Sequence, residues 1–194
     1  EKAVNEAKIV ELRLAADRRA LRHQIDTARS RLDEVEHVLA RFSPQVGQLA
    51  ISANRNLSEY ARFDYPVLED ETQNFDGPLA GIKAGLAWCP TPILAVVACD
   101  SPNLPINLVS TLRDALENDD AEISVARAGG KRQPVFVLLK SSLLTSLEEF
   151  LLSGERKIGK WYDLHRTVET EFSEDKEFAN INTEDERISL EKTL

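Results

Sequence analysis

The sequence predicts an α/β protein in three layers, α/β/α, with a mostly parallel sheet and an atypical helical N-terminal segment. Three observations carry this prediction. Short apolar runs recur from Leu49 onward, the clearest being Ile93-Leu94-Ala95-Val96-Val97-Ala98. Amphipathic stretches separate them, and strands alternating with helices close into parallel sheets through right-handed crossovers. The first 42 residues contain neither Gly nor Pro, whereas all eight glycines lie from Gly47 onward. This sets the grammar of the first 42 residues apart from that of the rest.

The elements follow in order. Leu14, Leu21, Ala28 and Val35, with Ile25, Leu32 and Leu39, form a heptad pattern on a charged background. That spacing predicts a long amphipathic helix ending before Pro44, packed on its own domain or forming a dimer seam. Ile9 to Leu14 partly alternates, which leaves an edge strand as the alternative there. Strands are expected at 49–52 and 65–68, ending at the polar corners Ala53-Asn54-Arg55-Asn56 and Glu69-Asp70. Gly77-Pro78 opens a helix through about Trp88, with Pro in the first turn where no donor is needed. The run 93–98, bounded by Pro92 and by Asp100-Ser101-Pro102, reads as a strand buried on both faces. A helix near 104–118, strands at 123–126 and 134–139, and a helix over 143–152 complete the pattern.

Composition narrows the function. The chain has 24 basic and 33 acidic residues, a net charge of −9. That excess disfavours a nucleic-acid backbone or an anionic membrane surface as partner. No apolar run approaches the roughly 20 residues of a membrane span, and no signal-peptide pattern opens the chain, so a cytoplasmic protein is expected. Cys89 and Cys99 lack CxxC spacing and read as buried free thiols.

Asp100 is the first candidate site residue. In open α/β sheets ligands sit outside the carboxyl ends of strands, so an acid there either holds a metal-bound substrate or caps the following helix. Asp70, at the end of another strand, is either a ligand contact or a turn residue. Gly81 permits close backbone approach to an anion or tight helix–sheet packing. Asn54 and Asn182 either bond a ligand or hold turns. Arg156-Lys157, and Lys131-Arg132 beside Gly129-Gly130, are phosphate candidates or solvated charges. The three histidines have no metal-spaced partners, and Trp161-Tyr162 reads as packing.

From about Val35 to Glu186 the sequence resembles the molybdenum cofactor guanylyltransferase (MobA) family, which has a Rossmann-like nucleotidyltransferase fold. The resemblance rests on Glu36-His37-Val38-Leu39, Ile51-Ser52-Ala53-Asn54-Arg55, Leu68-Glu69-Asp70, Gly77-Pro78-Leu79-Ala80-Gly81-Ile82, Cys99-Asp100-Ser101-Pro102, Gln133-Pro134-Val135-Phe136, Gly154-Glu155-Arg156-Lys157 and Asn180-Ile181-Asn182-Thr183. It implies transfer of GMP from GTP to the molybdopterin cofactor, with release of pyrophosphate. It implies Mg²⁺ held by a catalytic Asp100. Nucleotide contacts would come from Ser52, Asn54, Asp70, Gly77 and Gly81, and contacts to the pterin substrate from Asn180 and Asn182. Other proteins of molybdenum cofactor biosynthesis are the implied partners.

The chain departs from the family at its glycine-rich loop, of the form LAGG-x-S-x-R-M-G-x-D-K. Here Leu14-Ala15-Ala16-Asp17-Arg18-Arg19-Ala20-Leu21-Arg22 stands in its place. Arg18, Arg19 and Arg22 supply charge, but a backbone wrapped around phosphate needs glycine torsions and clearance. Either residues up to about 34 are a replaced or frame-shifted segment, or the chain is a paralogue that lost catalysis and acts by binding or dimerisation. A related cytidylyl or sugar-phosphate nucleotidyltransferase is the remaining alternative.

Overall fold

The computed structural model describes residues 20–22, 26–69, 77–173 and 175–179. The expected strand at 9–14, and the site residues Asp70, Asn180 and Asn182, lie outside the described residues.

Helix α1 (26–42) is continuous through position 34. Val35, Val38 and Phe42, at helical spacing, are buried, so the C-terminal half packs on its own domain. Pro44 forces the exit through a 3₁₀ turn at Ser43–Gln45. Gln45 fastens this corner: its amide donates to the Arg41 carbonyl (2.8 Å) and the Pro105 carbonyl (2.9 Å). Its side-chain oxygen accepts from the Val109 N–H at 3.0 Å.

Strand β1 (Ile51–Ser52) precedes the short helix α2 (Leu57–Tyr60) and strand β2 (Val67–Leu68). Helix α3 (Pro78–Trp88) leads to β3 (Ile93–Val96), and α4 (Leu108–Asn118) to β4 (Ile123–Ala128). Strand β5 (Lys131–Lys140), α5 (Leu144–Leu152), α6 (Ile158–Tyr162) and β6 (Thr167–Phe172) complete the order. Among the described residues these strands form two sheets: β1-β2, which is parallel, and β3-β5-β4-β6. In the larger sheet β4 and β6 are parallel, and β5 runs against both β3 and β4. The mostly parallel expectation therefore holds for three of its four strands. The reason for the exception is local. Gly129 (φ +55°) and Gly130 (φ +73°) make the two-residue turn that doubles β4 back into β5.

Two cores cover the faces of the larger sheet. One joins α1 and α4 through Val38, Phe42, Leu108, Leu112, Ala126 and Leu138. The other joins α3, α5 and α6 through Ile82, Leu86, Val125, Leu139, Leu147 and Trp161. Trp161 and Tyr162 are fully buried, the packing role expected of them. The Tyr162 hydroxyl donates to the Pro134 carbonyl at 2.7 Å.

The run 93–98 differs from expectation. It was expected to be buried on both faces, yet every residue of β3 is only half-buried, because β5 is its sole described neighbour.

Candidate active site at the carboxyl ends of β1 and β3

A cavity of about 860 Å³ separates β1 from β3. The residues 49–52 wall one side and 93–98 the other; α1 contributes Val35, Val38 and Phe42, and α3 contributes Gly81 and Gly85. Three expected site residues, Ser52, Gly81 and Asp100, line this single cavity. A Cβ built on Gly81 would stand 3.1 Å from the Ser52 hydroxyl oxygen, so glycine here sets how closely α3 approaches β1.

Asp100 lies in the turn following β3 and is half-buried. Among the described residues no arginine or lysine forms an ion pair with it within 4.0 Å. Its field reaches α1: burial pushes the Glu34 carboxyl up, and the Asp100 charge adds to that push. Burial likewise pushes the Tyr60 phenol up, with Cys99 adding and Arg31 opposing. Glu34, Arg31 and Tyr60 thus surround the end of β3, and none was singled out from the sequence. Their signal was present only as a helix face and a loop aromatic, with no motif to mark either.

The thiols are not buried as expected. Both are free, but Cys89 is half-buried and Cys99 exposed. The turn that carries Asp100 out of the sheet carries Cys99 with it. The protein around this thiol, and the adjacent Asp100 carboxylate, still hold its pKa above the ordinary value, so it is not a primed thiolate.

The remaining candidates are dispersed. Asn54 is exposed in the corner after β1, and Gly77 (φ +64°) is exposed ahead of α3; neither lines the cavity. Arg132 is not a spare phosphate ligand: its guanidinium holds Glu169 at 2.7 Å and Asp163 at 3.2 Å. Arg156 donates to the Leu151 and Glu155 carbonyls, closing the end of α5. His165 sits 3.0 Å from the Ser146 hydroxyl and 4.0 Å from Glu122. The Trp161 indole N–H also donates to that hydroxyl, making a node between α5 and α6 rather than an exposed nucleophile.

Among the described residues no cluster of three His, Cys, Asp or Glu side chains could hold a metal alone. A lone carboxylate nonetheless suits Mg²⁺, which keeps several waters and takes one or two carboxylates together with substrate phosphates. Among the described residues no helix is long and apolar enough to cross a membrane.

An α/β sheet that brings Ser52 and Asp100, with no ion-pair partner for that carboxylate among the described residues, to one cleft at its strand ends suits a nucleotidyltransferase. Residues 33–168 match the MobA-like NTP transferase domain, and the chain belongs to that family. It is 48% identical over 151 residues to a molybdenum cofactor guanylyltransferase of Bordetella petrii, covering 76% of this chain and 77% of that one. It is 42% identical over 161 residues to the Shewanella woodyi protein of the same name, covering 82% of each. Among solved structures, molybdopterin-guanine dinucleotide biosynthesis protein A of Archaeoglobus fulgidus superposes with a TM-score of 0.65. At 22% identity over 82% of this chain and 84% of that one, it shares the fold.

Proposed function

We propose that this chain is a molybdenum cofactor guanylyltransferase, transferring GMP from GTP to the terminal phosphate of molybdopterin. The observation that carries the reading is Asp100: a half-buried carboxylate beyond the carboxyl end of β3, lining the cavity shared with Ser52 and Gly81, with no ion pair within 4.0 Å among the described residues. Its relatives' names supply the substrates. In the transfer a pterin phosphate oxygen bonds to the α-phosphorus of GTP, and the bond to the α–β bridging oxygen breaks, releasing pyrophosphate.

Asp100 would hold Mg²⁺, which supplies charge neutralisation for two reacting anions. Ser52 and the backbone corner behind it would contact the nucleotide, and the close packing of Gly81 on Ser52 fixes that corner. Arg113 lines the same cavity and would supply a cation to phosphates bound there.

Calorimetry with GTP and Mg²⁺, and pyrophosphate release in the presence of molybdopterin, test the proposal. Wild type is expected to bind GTP in preference to CTP. Asp100→Ala is expected to lower turnover about 100-fold or more, the scale of losing a principal electrostatic group. Absence of GTP binding together with concentration-dependent dimerisation would instead mark a docking protein.

A further inference from the structure

Asp100 lies in the connection between the last residue of β3, Val96, and the first of α4, Leu108. Immediately after it the Leu104 N–H donates to the Ser101 carbonyl at 3.3 Å. Pro102 takes the second position of the turn that this bond closes, where its fixed φ fits. Ser101 and Leu104 are fully buried, and Leu104 packs in the core beside Val38 and Phe42 of α1. The carbonyls at the far end of this turn need donors, and the end of α1 supplies them. Arg41 Nε donates to the Leu104 carbonyl at 2.7 Å, and the Gln45 amide to the Pro105 carbonyl at 2.9 Å. The Gln45 side-chain oxygen accepts from the N–H of Val109, the second residue of α4, at 3.0 Å. That donor is one that an N-cap side chain ordinarily satisfies, but Asn107, at the N-cap, makes no such bond. Gln45 also donates to the Arg41 carbonyl at 2.8 Å, which ties the two clamping residues to each other.

We infer that Arg41 and Gln45 are positioning residues, which clamp the turn that presents Asp100 to the cleft. They act through the backbone of residues 101–109, with Gln45 lining the same cavity as Asp100. Among the described residues no group of three ligands could fix a metal ion, so the aim of Asp100 depends on its backbone. The consequence for catalysis rests on the proposed role of Asp100 in holding Mg²⁺. The clamp itself does not.

The test uses the full chain and two readouts. Gln45→Met keeps the length of the side chain and removes its hydrogen bonds. Amide exchange followed by NMR is expected to quicken at Leu104 by about tenfold or more beyond any change at Leu139. The Mg²⁺ concentration for half-maximal pyrophosphate release from GTP and molybdopterin is expected to rise about tenfold or more, the scale for losing support to a metal ligand. Arg41→Met, which removes only the Leu104 bond, is expected to move both readouts in the same direction. Arg41→Lys keeps a donor for that carbonyl and is expected to recover most of the loss. Tyr162→Phe, which removes a hydrogen bond in the other core, is expected to leave both readouts within about twofold of wild type. Equal quickening at Leu104 and Leu139, or an unmoved Mg²⁺ dependence in an active enzyme, would overturn the inference. A wild type that releases no pyrophosphate would instead defeat the substrate reading, and exchange at Leu104 would then decide the clamp by itself.

Discussion

Strands β3 and β4 have similar sequences, Ile93-Leu94-Ala95-Val96 beside Ile123-Ser124-Val125-Ala126, yet their surroundings differ. Five of six positions in β4 are buried, while none of the four in β3 is. Strand β4 lies between β5 and β6, whereas β3 has β5 alone. An apolar run thus reports what a strand can tolerate around it, while its neighbours decide what it receives. The half built on β4, β5 and β6 is closed and carries stability. The half built on β1 and β3 is open and carries the candidate chemistry.

The sharpest test compares two leucines that oppose each other in register, Leu94 on β3 and Leu139 on β5. Leu139 is 0% exposed, and Leu94 half-buried beside the cleft. Leu139→Ala is expected to cost about 3–5 kcal/mol, the range for a well-packed core leucine, and Leu94→Ala about 1–2 kcal/mol. Urea midpoints for the pair measure the contrast. Equal losses would show that the cleft is filled in solution.

A second test stays in the closed half. The Tyr162 hydroxyl satisfies the Pro134 carbonyl in a site where burial pushes the phenol far above its ordinary pKa. Tyr162→Phe leaves that carbonyl without a partner in apolar surroundings, at an expected cost of about 1–2 kcal/mol by the same urea assay. A negligible loss would show that water reaches the carbonyl and that the closed half is looser than its packing implies.

The same contrast explains which parts of the molecule were legible as sequence. Strands bounded by turn residues were readable, because Pro92, Pro102 and the Gly129-Gly130 pair punctuate them. So was the place of Asp100 in the turn after β3, because an acid follows the longest apolar run. Strand β6 was missed: Thr167-Val168-Glu169-Thr170-Glu171-Phe172 has the alternation of an edge strand, but its two glutamates mask the pattern. Helix α6 was too short for periodicity to mark. The neighbours of Asp100 were unreadable for another reason. Glu34 and Tyr60 reach it through packing between elements far apart in sequence, which no local pattern records.

Charge gives a smaller test with opposite signs in the two halves. In the closed half, hydrogen bonds from Arg132 and then Arg127 hold the Glu169 carboxyl below its ordinary pKa. Its stabilisation is full above the unfolded value of about 4.3 and is lost as pH falls through the folded value. In the open half burial holds Glu34 up, so its contribution is full below about 4.3 and is lost as pH rises through the folded value. Glu169→Gln is expected to cost about 1 kcal/mol at pH 7 and to flatten the acid limb of the stability profile. Glu34→Gln is expected to leave the acid limb intact and to raise stability slightly at pH 7. Guanidinium midpoints at pH 3 to 7 separate the two.

The smallest effect has the most diagnostic sign. A Cβ built on Gly85 would meet Leu94 Cδ2 at 3.1 Å, the tip of a flexible side chain bordering the open cleft. Leu94 has space to yield, so Gly85→Ala in the interior of α3 is expected to stabilise by about 0.5 kcal/mol through reduced chain entropy in the unfolded state. Gly129→Ala in the closed half has no such freedom. Its φ is +55° and its Cβ would stand 2.8 Å from the Asp175 carboxyl carbon, so a loss of about 1 kcal/mol is expected. Thermal melting of both variants reads the signs directly. A loss at Gly85 as large as that at Gly129 would mean that Leu94 is pinned by a neighbour on its cleft side.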